Sequence, residues 1–202
     1  GPVRVRKGPG GGSAGSGPWN VPRFIVALKL GAALAAGSPM LLKPSPETPL
    51  DGYILGELLD EIELPKGMVS ILPAGREVGE YLVRHPGVDK VGFTGSTAAG
   101  RKVGAICGEM LKRCTLELGG KSAAIILDDA DLASAVPMLM PSALMNNGEA
   151  CIAQTRILAP RSRYDEVVEA VAASVAGHTV GDPADPSVAV GPLVAERQRD
   201  RV

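Results

Sequence analysis

From Pro18 onward, apolar positions alternate between two rhythms. "PRFIVALKLGAALAAG" carries Pro22 near its start and Gly37 past its end, the punctuation of a helix. "PMLLKP" is a short apolar run stopped by proline and predicts a strand. Thr48, Pro49 and Asp51 mark the N-terminus of a helix running to about Glu63. "GMVSILP" predicts a buried strand, and "REVGEYLVRH" a helix ended by Pro86. "VDKVGFTGS" predicts a strand entering a glycine turn, "TAAGRKVGAIC" a helix and "KRCTLEL" a strand. This β-α-β-α-β alternation predicts a parallel sheet with helices on both faces. In such sheets ligands bind at the carboxyl ends of the strands. Lys43, Thr94 to Ser96, Glu117 and the loop before the first helix are thereby expected on one edge.

After "ELGGK" a second set begins. "SAAIILDD" predicts a strand, and Asp131 to Asn147 a helix that Pro137 and Pro141 should kink. "TRILAP" predicts a strand, "SRYDEVVEAVAASVAGH" an amphipathic helix, and the remainder is turn-rich and then polar. Residues 1–17, "GPVRVRKGPGGGSAGSG", are basic, glycine-rich and nearly devoid of apolar side chains. They predict a flexible tail that does not serve as a central strand.

Composition narrows the function. Hydrophobic residues make up 45% of the 202, enough for a core. The balance of 21 Lys and Arg against 22 Asp and Glu gives no electrostatic footprint for nucleic acid or an anionic membrane. Aromatics at 3% argue against base-stacking platforms. Cys107, Cys114 and Cys151 match no metal-site spacing and no disulfide framework, so a reducing, cytoplasmic setting without a metal is expected. No stretch reaches the roughly 18 to 20 apolar residues that span a bilayer. The chain starts with Gly-Pro rather than Met, which reads as a fragment.

Candidate chemistry centres on "LMNNGEACIAQTR". Cys151 flanked by Ala and Ile is either a small core residue or, on a loop between elements, a nucleophile. Glu117 in "TLELGGK" is either a solvated strand end or a half-buried carboxylate placed to accept a proton from water. "FTGSTAAG" is a glycine turn before a helix N-terminus, where phosphate binds well, without the middle glycine of the usual dinucleotide fingerprint. Lys43 could reach nucleotide hydroxyls or simply be solvated. Asn20 could cap the first helix or donate to an oxyanion.

Pro-Trp-Asn, Lys-Pro-Ser, Phe-Thr-Gly-Ser, Glu-Leu-Gly-Gly-Lys and Asn-x-Gly-Glu-x-Cys follow in one order. That order and spacing resemble the NAD(P)-dependent aldehyde dehydrogenase superfamily from about Pro18 to Val202. The resemblance implies a parallel-sheet, Rossmann-like nucleotide-binding α/β domain over 18–118, followed by the beginning of a second, catalytic α/β domain over 119–202. It implies Cys151 as nucleophile, Asn20 as oxyanion donor and Glu117 as the base for water. Lys43 would bind the adenosine ribose, Ser96 would lie near the pyrophosphate, and Gly95 would let the cofactor approach. Trp19, Ser45, Leu118 and Gly119 would also line the cofactor, and Lys29 matches a family lysine near the active site. The implied cofactor is NAD, with NADP open, because Pro46 stands where the family often has glutamate and Glu47 follows it. The implied substrate is a small-molecule aldehyde of open identity, and the implied full-length form a homo-oligomer.

Three departures remain. The glycine-rich tail replaces an apolar strand, which suggests non-homologous sequence there. The family's Glu-x-Phe-Gly-Pro motif is absent, and full-length members are more than twice as long. An inactive fragment that retains only a nucleotide-binding module is therefore the alternative. A cysteine hydrolase would need a histidine partner, and only His85 and His178 exist, neither in a suitable motif.

Overall fold

The computed structural model describes residues 8–202 and divides the chain into two compact units, Gly1–Leu118 and Gly119–Val202. Among the described residues the first unit holds five strands, β1 (Ser13–Ser16), β2 (Met40–Lys43), β3 (Val69–Ile71), β4 (Lys90–Gly95) and β5 (Arg113–Leu118). Four helices connect them: α1 (Pro22–Ala35), α2 (Leu50–Asp60), α3 (Arg76–Arg84) and α4 (Thr97–Glu109). Every ladder is parallel, in the order β3-β2-β1-β4-β5. The chain winds outward to β3 with α1 and α2, then returns past β1 to β4 and β5 with α3 and α4. This is a doubly wound α/β sheet whose order reverses between β1 and β4.

The tail expectation is overturned for residues 13–16. Ser13–Ser16 form the central strand, paired with Met40–Lys43 on one side and Lys90–Phe93 on the other. The physical reason is close approach rather than apolar bulk. A Cβ at Gly15 would lie 2.4 Å from Met40 Cε, and one at Gly12 would lie 2.5 Å from the Gly87 carbonyl oxygen. Asp89 accepts the Gly12 N–H at 2.8 Å and so pins the strand's approach. The part of that expectation that concerns residues 1–7 lies outside the described residues.

Side chains alternate across the sheet. One face carries Ala14, Leu41, Val91 and Phe93 against Val83 of α3 and Val103, Ile106 and Cys107 of α4. The opposite face carries Gly15, Leu42, Gly92, Thr94 and Glu117, where α1 packs. β3 is a half-buried edge strand rather than the buried one its apolar run predicts. Helix α2 starts at Leu50 with Pro49 in the cap position and no side-chain capping bond, so Thr48 does not cap it.

The second unit is built from β6 (Ala123–Ile125) and β7 (Arg156–Leu158), a parallel pair. The helices α5 (Leu132–Ala143) and α6 (Tyr164–Ala176) and a single turn, α7 (Glu196–Arg199), complete it. Helix α5 runs unbroken through Pro137 and Pro141. Its buried stripe of Leu132, Val136, Leu139, Met140 and Ala143, at helical spacing, packs with Ile126 and Val167 and holds it despite the lost N–H donors.

Candidate active site

Because the first sheet is parallel, its strands release their carboxyl ends on one edge. β1 leads into Gly17–Pro18–Trp19–Asn20, β2 ends at Lys43 with Ser45 just beyond, β4 ends at Gly95 before Ser96, and β5 ends at Leu118. Trp19 and Asn20 are half-buried; the cap position of α1 is Val21, not Asn20, and it carries no side-chain capping bond.

Lys43 is buried rather than solvated. Its ammonium donates to the carbonyls of Pro44 at 2.8 Å and Ala74 at 2.9 Å, which leaves one of three donors for a further acceptor. Burial pushes its pKa below the usual lysine value. The buried Ser45 donates to the Glu47 carboxylate, which folds Glu47 back beside this strand end. Ser96 caps α4, its Oγ accepting the Ala99 N–H at 3.3 Å.

The glycines have internal reasons as well. A Cβ at Gly95 would lie 2.7 Å from the Phe93 ring, and one at Gly100 2.4 Å from Leu118 Cδ2. Leu118 therefore packs into the gap that Gly100 leaves at the start of α4. Gly119, the first residue of the second unit, has nothing within 4 Å of such a Cβ.

Glu117 is exposed, which favours the solvated strand end over the half-buried carboxylate. It sits opposite Thr94 in the β4–β5 register. Lys29 crosses the same face from α1: its methylenes run over Gly15 and Gly92, and its ammonium donates to Thr94 Oγ1 at 2.8 Å. Burial lowers the Lys29 pKa, and the Glu117 charge partly restores it. The sequence signal for this group was a lysine inside an apolar helix facing strands with glycine at matching positions.

Cys151 belongs to the second unit and is exposed, as is Cys114, whereas Cys107 is buried. Desolvation, and then the neighbouring Cys114 thiol, push the Cys107 pKa up. Cys151 follows α5 through three residues of left-handed backbone, Asn146 (φ 52°), Asn147 (φ 59°) and Gly148 (φ 78°). Asparagine tolerates that region better than most residues, which explains the Asn-Asn-Gly string. Asn147 Oδ1 accepts the Gly191 N–H at 2.9 Å, and its Nδ2 donates to the Pro192 carbonyl at 3.3 Å. The Glu149 carboxylate accepts the Val194 N–H at 3.3 and 3.4 Å. Beyond the cysteine, the Ser142 hydroxyl of α5 donates to Gln154 Oε1 at 2.7 Å. These ties span 12 to 45 residues, and no local sequence spacing announces them.

Among the described residues no group of three or more His, Cys, Asp or Glu could hold a metal ion. No helix there is long and apolar enough to cross a membrane.

Comparison with known proteins places this geometry. The model of the aldehyde dehydrogenase family matches residues 3–202, so the match takes in the glycine-rich segment that had read as non-homologous. Geranial dehydrogenase of Castellaniella defragrans is 49% identical over 198 residues, 98% of this chain and 41% of that protein. Betaine aldehyde dehydrogenase of Sinorhizobium fredii is 40% identical over 198 residues, again 41% of its length. The crystal structure of Mycobacterium tuberculosis aldehyde dehydrogenase complexed with NAD+ superposes with a TM-score of 0.90 at 53% identity, covering 94% of this chain and 40% of that one. The chain thus spans about two-fifths of the length of the relatives it matches.

Proposed function

Since the chain belongs to the aldehyde dehydrogenase family, we propose that it carries the nucleotide-binding and nucleophile-bearing parts of an enzyme that oxidises an aldehyde to a carboxylic acid with NAD(P)+. The observation that carries this reading is the single sheet edge on which the Asn20 loop, Lys43, Ser96 and Glu117 gather beside the reversal of strand order.

The donor set of that edge fits a dinucleotide. Lys43 retains a donor for a ribose hydroxyl, and the N-terminus of α4 offers backbone amides to phosphate. Trp19, Ser45, Gly95, Leu118 and Gly119 are proposed to line the same ligand. NAD is the proposed form, because the Glu47 carboxylate held by Ser45 places negative charge just beyond the end of β2 and would repel a 2′-phosphate bound there.

In the proposed mechanism the Cys151 thiolate adds to the aldehyde carbon, and the carbonyl oxygen takes up the negative charge. The Asn20 side-chain amide and the Cys151 backbone N–H donate to that oxygen, and one such donor is worth roughly a hundredfold or more in rate. The bound cofactor supplies the hydride acceptor. Loss of hydride leaves a thioester on Cys151. Glu117, exposed at the end of β5, then accepts a proton from the water that attacks the thioester carbon. The sulfur–carbon bond breaks, the acid departs and the thiolate returns. Thr94 and Lys29 are proposed to steady the carboxylate's side of the edge.

The intact enzyme is proposed to be a cytoplasmic homo-oligomer. Three free cysteines support the reducing compartment.

The test follows reduced-nicotinamide absorbance with a panel of aldehydes. Turnover by the parent chain, lost in Cys151→Ala and retained in Cys114→Ala, is the expected result. Parent-rate turnover by Cys151→Ala would overturn the assignment. Cofactor binding without turnover would leave the chain as a nucleotide-binding module alone.

A further inference from the structure

The polar approach to Cys151 has a role that the proposed chemistry does not absorb. Of the residues in Asn146–Glu149, Asn147 and Glu149 both turn their side chains onto the backbone of residues 191–194, a segment without regular secondary structure. Asn147 bridges two peptide units, accepting from the Gly191 N–H and donating to the Pro192 carbonyl. The carboxamide supplies an acceptor and a donor side by side; a carboxylate of the same shape loses the donor. The approach is close, since a Cβ at Gly191 would lie 3.4 Å from Pro183 Cβ and 3.7 Å from Asn147 Nδ2. Glu149, two residues before the cysteine, takes the Val194 N–H between its two oxygens. Three residues after the cysteine, Gln154 is held by Ser142 of α5. Between these anchors the buried Ala153 and two short backbone bonds, Ala153 N–H to Ala150 O and Thr155 N–H to Ala153 O, complete the loop.

We propose that Asn147 and Glu149 are positioning residues, which fix the loop of Cys151 by clamping it to residues 191–194. The proposal deepens the reading of Cys151 as nucleophile and rests on it. The physical reason is preorganisation. A loop that leaves a helix through left-handed backbone has no ladder to define it, so its geometry comes from side-chain bonds at its ends. A thiol held this way presents one approach direction, and a loosened thiol samples many.

Two measurements on the 202-residue chain test this without aldehyde or cofactor. In the parent, hydrogen exchange at the Gly191 and Val194 amides is expected to be slow. Exchange as fast as in the exposed turn at Asp185–Ser187 would overturn the clamp. In Asn147→Ala and Glu149→Ala, exchange over residues 149–155 is expected to rise and Cys151 alkylation by iodoacetamide to fall roughly tenfold, while alkylation of Cys114 stays at the parent rate. Glu149→Gln keeps an acceptor for the Val194 N–H and should restore both. If only residues 191–194 loosen and Cys151 alkylates at the parent rate, the bonds merely tether that segment and the proposal fails. Clamp-dependent alkylation in a chain without aldehyde turnover would sink the proposed function and leave the clamp standing. Turnover with clamp-independent alkylation would do the reverse.

Discussion

Glu149 sits where burial disfavours its charge, and its pKa is raised for that reason even though the Val194 N–H pulls the other way. A carboxyl whose folded pKa lies above its unfolded value favours folding most at pH below the unfolded value, and that contribution is lost as pH rises through the folded one. Glu149→Gln removes the titration and keeps the acceptor. The variant should therefore gain in urea midpoint relative to the parent as pH is raised from acid to neutral; a constant or shrinking difference would contradict the burial argument. At this scale, part of the site was legible in the sequence. Glu117, Lys43 and Ser96 drew notice because each stands at or just past the end of an apolar run, and Cys151 because a polar Asn-Asn-Gly-Glu string leads into it. The partners of Asn147, Glu149 and Gln154 did not, since nothing in a short window says which distant backbone amide a carboxamide or carboxylate will meet. The burial of Glu117 stayed open in the sequence for a related reason: the last residues of a strand owe their exposure to whatever covers the sheet edge, and strand pattern alone is silent on that.

At the scale of elements, apolar periodicity located the helices and the strands that carry bulk, and their alternation gave the parallel α/β class. It failed at β1, whose Ser-Ala-Gly-Ser contains no large side chain to register as periodic. That strand is defined by what presses on it. Gly15 lies under Met40, Leu42 and the stem of Lys29, so Gly15→Val forces atoms into occupied space and should cost about 1–3 kcal/mol. Gly31, in the interior of α1 with nothing within 4 Å of an added Cβ, provides the contrast. Gly31→Ala should stabilise by up to about 1 kcal/mol through helix propensity. Chemical denaturation of the two variants checks both signs, and a neutral Gly15→Val would remove the packing account of the central strand. Helix α5 continues through Pro137 and Pro141 because tertiary burial of one stripe outweighs the two missing donors.

Across the whole molecule, the first unit keeps an apolar cleft of about 410 Å³ between α1, α2 and β2, lined by Val26, Leu30, Leu34, Leu42, Leu55 and Leu58 among others. Phe24 and Leu28 of α1 and Tyr53 and Ile54 of α2 are exposed as well. Apolar surface of this kind takes up apolar molecules. An environment-sensitive apolar dye should brighten on the chain, and Gly31→Phe, which enters the cleft from α1, should reduce the signal several-fold. Equal fluorescence on the variant would place the dye elsewhere.

The central position of β1 also sets a timetable for assembly. Its partner β2 follows within one helix, but its other partner arrives late: the bond from Gly12 to Asp89 joins residues 77 apart. Until β4 has formed, one edge of the middle strand has no ladder, and closing so long a loop is entropically slow. The sheet is therefore completed from the middle outward only after most of the unit exists. Whatever slows β4 leaves a bare, glycine-lined strand edge open to misplaced pairing during synthesis.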